Sequence, residues 1–248
     1  MTLASHAQII GVDGCRAGWI AVIVRCANFN EAEVRVFRSF AGILAHAPAQ
    51  SLIAADMPIG LPERTIKGGR KPDWAAREFL RPHQVRIFPV PSRRAVYACG
   101  EGFAQVCAVS RETSDPPTAP SKQLFGILPR IQEIDLCLRK FPALRERVFE
   151  VHPEVSFKVM NDNEPLASKK VKGRLNLPGI ELRKELLAKE GFSFSFLDQK
   201  PPRGSGLDDF YDACACAWSA NRIAHGKARV FPASPPLDRE GIVQAIWA

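Results

Sequence analysis

The chain lacks any apolar run near the roughly 20 residues that a membrane-spanning helix requires, and residues 1–8 have neither the basic start nor the apolar stretch of a signal peptide. A membrane or secreted protein is therefore not expected. It also lacks a C-x-x-C pair. Its seven cysteines, Cys15, Cys26, Cys99, Cys107, Cys137, Cys214 and Cys216, are odd in number and scattered, which argues against a structural zinc or a dithiol redox site. They read as reduced thiols of a cytosolic protein. Internal repeats and low-complexity tracts are missing as well. What is present is apolar material, 46% of 248 residues, enough to bury a full core in one large α/β domain or two small ones. The 34 Lys and Arg outnumber the 26 Asp and Glu for a net charge of +8, which eases approach to a phosphate backbone without identifying a partner. Clusters say more: Lys67, Arg70 and Lys71; Arg93 and Arg94; and Lys169, Lys170, Lys172 and Arg174. Taken singly, each reads as solvated surface.

Residues 8–13 (QIIGVD), a short turn over 14–18 and the β-branched run 19–25 (WIAVIVR) predict a β-hairpin. Residues 33–37 alternate polar and apolar, as an edge strand of the same antiparallel sheet does. A short helical pattern over 40–46 ends before Pro48. Residues 51–56 (SLIAAD) form a nearly continuous apolar run, a buried strand broken at Met57-Pro58-Ile59-Gly60. Beyond it, 72–80 reads as a helix, 85–90 as extended, 111–120 as a loop, and 121–140 as a helix interrupted near Pro129. With no Gly/Ser linker around it, 62–147 is read as a largely helical insertion in a single domain spanning 1–248. Residues 148–151 (VFEV) are a second candidate buried strand, 161–178 a basic loop, 180–189 a helix, and 208–225 a last helix with Asp208 as N-cap and Gly226 as its stop.

The acids fall at informative places. Asp13 and Asp56 each end an apolar run, where an unpaired charge costs several kcal/mol unless something compensates it. If the two strands are parallel neighbours, both carboxylates lie at one sheet edge, where α/β sheets bind ligands. Asp209 and Asp212, three apart, share a face near the start of the last helix, and Ala213, Ala215, Ala217 and Ala220 let that helix approach the sheet closely. Like charges about 4 Å apart repel by roughly 4 kcal/mol per pair at an effective dielectric of about 20. Divalent cations relieve this, and an all-oxygen set suits magnesium or manganese, as a pair of ions that holds a phosphodiester. Singly, each acid has a plain structural role: Asp13 capping the hairpin turn, Asp56 bonding the amides of 57–60, Asp209 and Asp212 favouring the helix start.

The segments GVDGCRAGW, ADMPIGLP, FPVPSRR, VFEVHPEVSF and DDFYDA jointly resemble a family of predicted nucleases labelled domain of unknown function 429, over nearly the whole chain. The order of elements is similar to the RNase H-like fold, and within it to the RuvC-like branch. The resemblance implies a mixed sheet of about five strands with flanking helices. It also implies catalytic metal ligands at Asp13, Asp56, Asp209 and Asp212 that hold two magnesium or manganese ions, and nucleic acid as partner. RuvC-like enzymes usually carry Glu on the fourth strand, where this chain has the shorter Asp56. Glu150 reads either as a further ligand or water-positioning base of the catalytic set, or as the partner of a nearby Arg. His152 reads as a proton donor to a leaving group or as a packed strand end, and Glu154 stands similarly. Arg93, Lys122 and Lys169 are candidates for holding substrate phosphates. Two other function classes fit the same acids: a non-catalytic nucleic-acid-binding scaffold, and an actin-like phosphotransferase. The chain has no Walker-type phosphate loop, which weighs little because actin-like folds do not use one.

Overall fold

The apolar runs assemble into a five-stranded mixed sheet in a computed structural model that describes residues 8–83, 87–171 and 173–248. The chain divides into two compact units. The first comprises Met1–Asp56, Arg147–Ala228 and Trp247–Ala248, and the second Met57–Glu146 and Arg229–Ile246. The segment read as an insertion falls almost entirely in the second unit, which also takes in the C-terminal stretch.

In the first unit, β1 (Gln8–Cys15) and β2 (Gly18–Arg25) form the expected hairpin, with Ile9 opposite Val24 and Asp13 opposite Ile20. The turn is tighter than expected, only Arg16 and Ala17 lying outside the strands, and Ala17 N–H is tied to the carbonyl of Gly204 at 3.0 Å. Strand β3 (Glu33–Phe37) pairs antiparallel with β2 as the edge, its residues only partly covered. Strand β4 (Leu52–Ala55) runs parallel to β1, and β5 (Val148–Glu150) parallel to β4. The central strands are buried on both faces, which is why β2 and β4 read as continuous apolar runs.

Alternation assigns the faces. Ile9, Gly11, Asp13, Leu52, Ala54, Ile20 and Val22 share one face, against which helix α4 packs (Leu207–Ala224). Helices α2 (Pro153–Met160) and α3 (Leu177–Lys189) complete that layer through Phe157 and Leu187. On the other face, α1 (Phe40–His46) sets Phe40 against Trp19, ring centroids 5.5 Å apart.

Several boundaries differ from the sequence reading for local reasons. A helix not expected from sequence, α2, starts at Pro153, and Pro178 lets α3 begin at Leu177, because the first helical turn needs no amide donor from proline. The last helix is capped by Gly206, not Asp208. Helix Lys122–Lys140 runs unbroken through Pro129. The basic stretch 161–178 contains a small hairpin, Lys170–Val171 with Arg174–Leu175. Of the extended segment expected at 85–90, residues 85 and 86 lie outside the described residues and 87–90 form no strand. Among the described residues, no helix is long and apolar enough to cross a membrane.

The second unit is held by buried ion pairs. Arg70 Nε and Nη2 both donate to Asp73 Oδ1, at 3.1 and 2.7 Å, and Nη1 donates to the carbonyls of Ile59 and Gly60. Arg93 reaches Asp135 at 3.1 and 3.2 Å and Asp238 at 2.6 Å. Two cations read as surface from composition are thus interior, their desolvation offset by carboxylates distant in sequence or on the next turn.

A candidate metal centre of three aspartates

The parallel pairing of β1 and β4 carries the argument from fold to site. Asp56 N–H bonds the carbonyl of Val12 at 2.8 Å, so the ladder continues past β4 and sets Asp56 beside Asp13. Helix α4 crosses this corner so closely that a Cβ on Gly11 would lie 2.0 Å from the backbone nitrogen of Ala217 and 2.1 Å from the carbonyl oxygen of Ala213. The small residues expected to permit close approach are those that make it. Asp212, one residue before Ala213, is thereby delivered to the two strand acids. One carboxylate oxygen from each of Asp13, Asp56 and Asp212 lies within 4.8 Å of the others.

Asp13 is 8% exposed and Asp212 3%. Asp13 Oδ1 accepts the Gly14 N–H at 2.6 Å, and Lys169 Nζ is paired with Asp212 Oδ2. Among the described residues, Asp212 Oδ1 is buried without a hydrogen-bond partner. An acceptor withdrawn from water with no donor costs free energy on the order of 1–3 kcal/mol, and more when charged. The donor set is all oxygen, negatively charged beyond what Lys169 offsets, and includes this open position. It fits a hard divalent cation. Cys216 lies near enough for Asp56 and Asp13 to act on it, but burial first and those acids second push its thiol well up, so it offers no soft thiolate ligand.

The other expected site residues are placed as follows. Asp209 Oδ2 accepts the Gly206 N–H at 2.8 Å, the one half of a capping box that a glycine N-cap allows at the start of α4. It lies outside the three-acid cluster, though close enough to raise Asp13 and Asp56. Glu150 is buried, but its register with Ala55 puts it on the sheet face opposite Asp13 and Asp56. The structure therefore does not bring Glu150 to the acids. Lys169 faces the acids themselves. Arg93, in the second unit, is consumed by Asp135 and Asp238, and Lys122, also there, is exposed at the first position of helix Lys122–Lys140. Both Glu154 oxygens accept from Nη2 of the fully buried Arg183, at 2.9 and 2.8 Å. Nothing local in the sequence marks Arg183, because its partner is on another helix.

The electrostatics make a testable statement about pH. Burial, reinforced by Asp56 and Asp212, raises Asp13 well above the usual carboxylate range. Burial raises Asp56 to about 7, partly relieved by Lys169, and Asp212 to about 6. Folded protein thus binds these protons more tightly than unfolded chain, so the stabilisation is full at acid pH and is lost as pH rises towards about 7. In EDTA, the melting temperature is expected to fall between pH 5 and pH 8, a loss on the order of 2 kcal/mol, and Asp56→Asn is expected to flatten that fall. Magnesium is expected to recover it at pH 8 and to do little at pH 5. A melting temperature that climbs over that range in EDTA contradicts the account.

Comparison with known proteins places the chain. The family model described as "Protein of unknown function (DUF429)" matches residues 11–237. The chain belongs to this family. The match takes in all three clustered aspartates of this DUF429 protein. No curated protein and no solved structure matches it.

Proposed function

We propose that this DUF429 protein is a divalent-metal-dependent nuclease of RNase H-like fold, hydrolysing phosphodiester bonds in DNA or RNA. The observation that carries the reading is the convergence of Asp13, Asp56 and Asp212 within 4.8 Å, with one buried Asp212 oxygen left open. The strand order β3-β2-β1-β4-β5, antiparallel then parallel, with acids on the first and fourth strands and the last helix, supports the fold assignment. All seven cysteines are free thiols, four of them buried, which fits a cytoplasmic protein.

Bound magnesium or manganese supplies Lewis-acid polarisation of a phosphodiester and lowers the pKa of water. The chain's own residues do the rest. Asp13 and Asp56 are held in place by adjacent strands, and Asp212 by a helix pressed on the sheet, so the ligand oxygens need little reorganisation. Asp209 holds the start of α4 through Gly206. Glu154 and Arg183 neutralise one another beside the acids.

The test is cleavage of single-stranded, duplex and branched DNA and RNA with magnesium, manganese or EDTA, with Asp13→Asn as control. Cation-dependent cleavage lost in the variant supports the reading. The absence of cation-dependent cleavage across the panel overturns it.

A further inference from the structure

We infer that Lys169 is a built-in counter-cation that fills one of the two cation positions the acids could form, so that this centre takes a single divalent ion. The inference rests on reading Asp13, Asp56 and Asp212 as metal ligands, and it changes the number of ions from the two implied by the resemblance.

Two ions sharing three aspartates need at least one carboxylate to bridge them, offering an oxygen to each. Asp212 has both oxygens inside the site, but Oδ2 is paired with Lys169 Nζ and Oδ1 alone is open. Asp13 Oδ1 already accepts the Gly14 N–H at 2.6 Å. The charges point the same way. Arg183 Nη2 donates to both Glu154 oxygens, and within the cluster itself three carboxylates face one ammonium, an excess equal to the charge of one divalent ion. Asp209 is committed to the α4 cap.

Lys169 is held in position by its backbone. Its carbonyl accepts the Asn176 N–H at 2.8 Å, the carbonyl of Ser168 accepts Asn176 Nδ2 at 2.8 Å, and that of Ala167 accepts Arg183 Nη1 at 2.9 Å. Gly179 completes the seat: a Cβ there would lie 2.3 Å from the Ser168 oxygen, so α3 bears directly on this stretch. A flexible surface lysine has no such anchorage. An ammonium also takes a cation's place without supplying a coordination site for water or phosphate oxygen. In this centre Lys169 is a positioning residue that fixes ion count and orients Asp212.

Manganese binding to the full chain is the experiment, read by calorimetric stoichiometry and by electron paramagnetic resonance on wild type, Lys169→Met and Lys169→Arg. Wild type and Lys169→Arg are expected to bind one ion with an uncoupled six-line spectrum. Lys169→Met is expected to bind two, with the broadened, exchange-coupled spectrum of ions about 3.5–4 Å apart. Circular dichroism checks that the Met variant is folded, and the Arg variant keeps the charge if it is not. Two coupled ions in wild type, or one ion in folded Lys169→Met, overturn the inference while leaving the metal centre standing. No ion bound by wild type or either variant overturns both.

Discussion

Asp13→Asn is expected to lower magnesium-dependent phosphodiester cleavage by roughly three orders of magnitude, the scale of losing several kcal/mol of transition-state charge stabilisation. The substitution keeps shape and leaves an oxygen to accept the Gly14 N–H. It removes a charge that burial, Asp56 and Asp212 disfavour in the metal-free protein. The metal-free variant is therefore expected to melt above wild type at pH 8, while the rise in melting temperature on adding magnesium disappears. Gain of apo stability together with loss of metal response separates a ligand from a structural acid, since losing a cap or an ion-pair partner destabilises. Wild type and variant binding nucleic acid equally, with no cleavage of any substrate, identify a scaffold instead. A rise in melting temperature specific to ATP identifies a phosphoryl-transfer enzyme.

The parts of this site that were legible in sequence are those that depend on one strand or one helix at a time. Apolar runs ending in Asp13 and Asp56, and the Asp209/Asp212 spacing before a run of alanines, are local patterns with direct physical meaning. Pairing was not legible. Glu150 follows the apolar Val148-Phe149 within a strand-like run, yet one residue of register puts it on the face of the sheet opposite Asp56. Arg93 looks like a surface cation until Asp135 and Asp238 are brought to it from 42 and 145 residues away. Lys169 sits in a basic stretch that reads as solvated loop; its role follows from carbonyls anchored by Asn176 and Arg183. Asp209 reads in sequence as cap or ligand; in the structure it accepts the Gly206 N–H and lies outside the three-acid cluster.

The closest test of the link between packing and site is Gly11→Ala. The new Cβ would meet Ala217 N at 2.0 Å, Ala213 O at 2.1 Å and Ala217 Cα at 2.7 Å, all backbone atoms that cannot rotate aside. Helix α4 must lift from β1, and overpacking of this kind costs about 3 kcal/mol or more, the upper end for an inserted methyl group. Because Asp212 rides on that helix next to Ala213, lifting it also separates Asp212 from Asp13 and Asp56. Manganese affinity is therefore expected to fall even at temperatures where circular dichroism shows the variant folded. Gly42→Ala is the control: it lies in α1, where an added Cβ meets nothing closer than 3.5 Å, and a gain of up to about 1 kcal/mol is expected from helix propensity, with metal binding unchanged. A Gly11→Ala protein with wild-type melting temperature and wild-type manganese affinity would mean that α4 does not bear on β1 at this distance, and the three-carboxylate corner would lose the contact that assembles it.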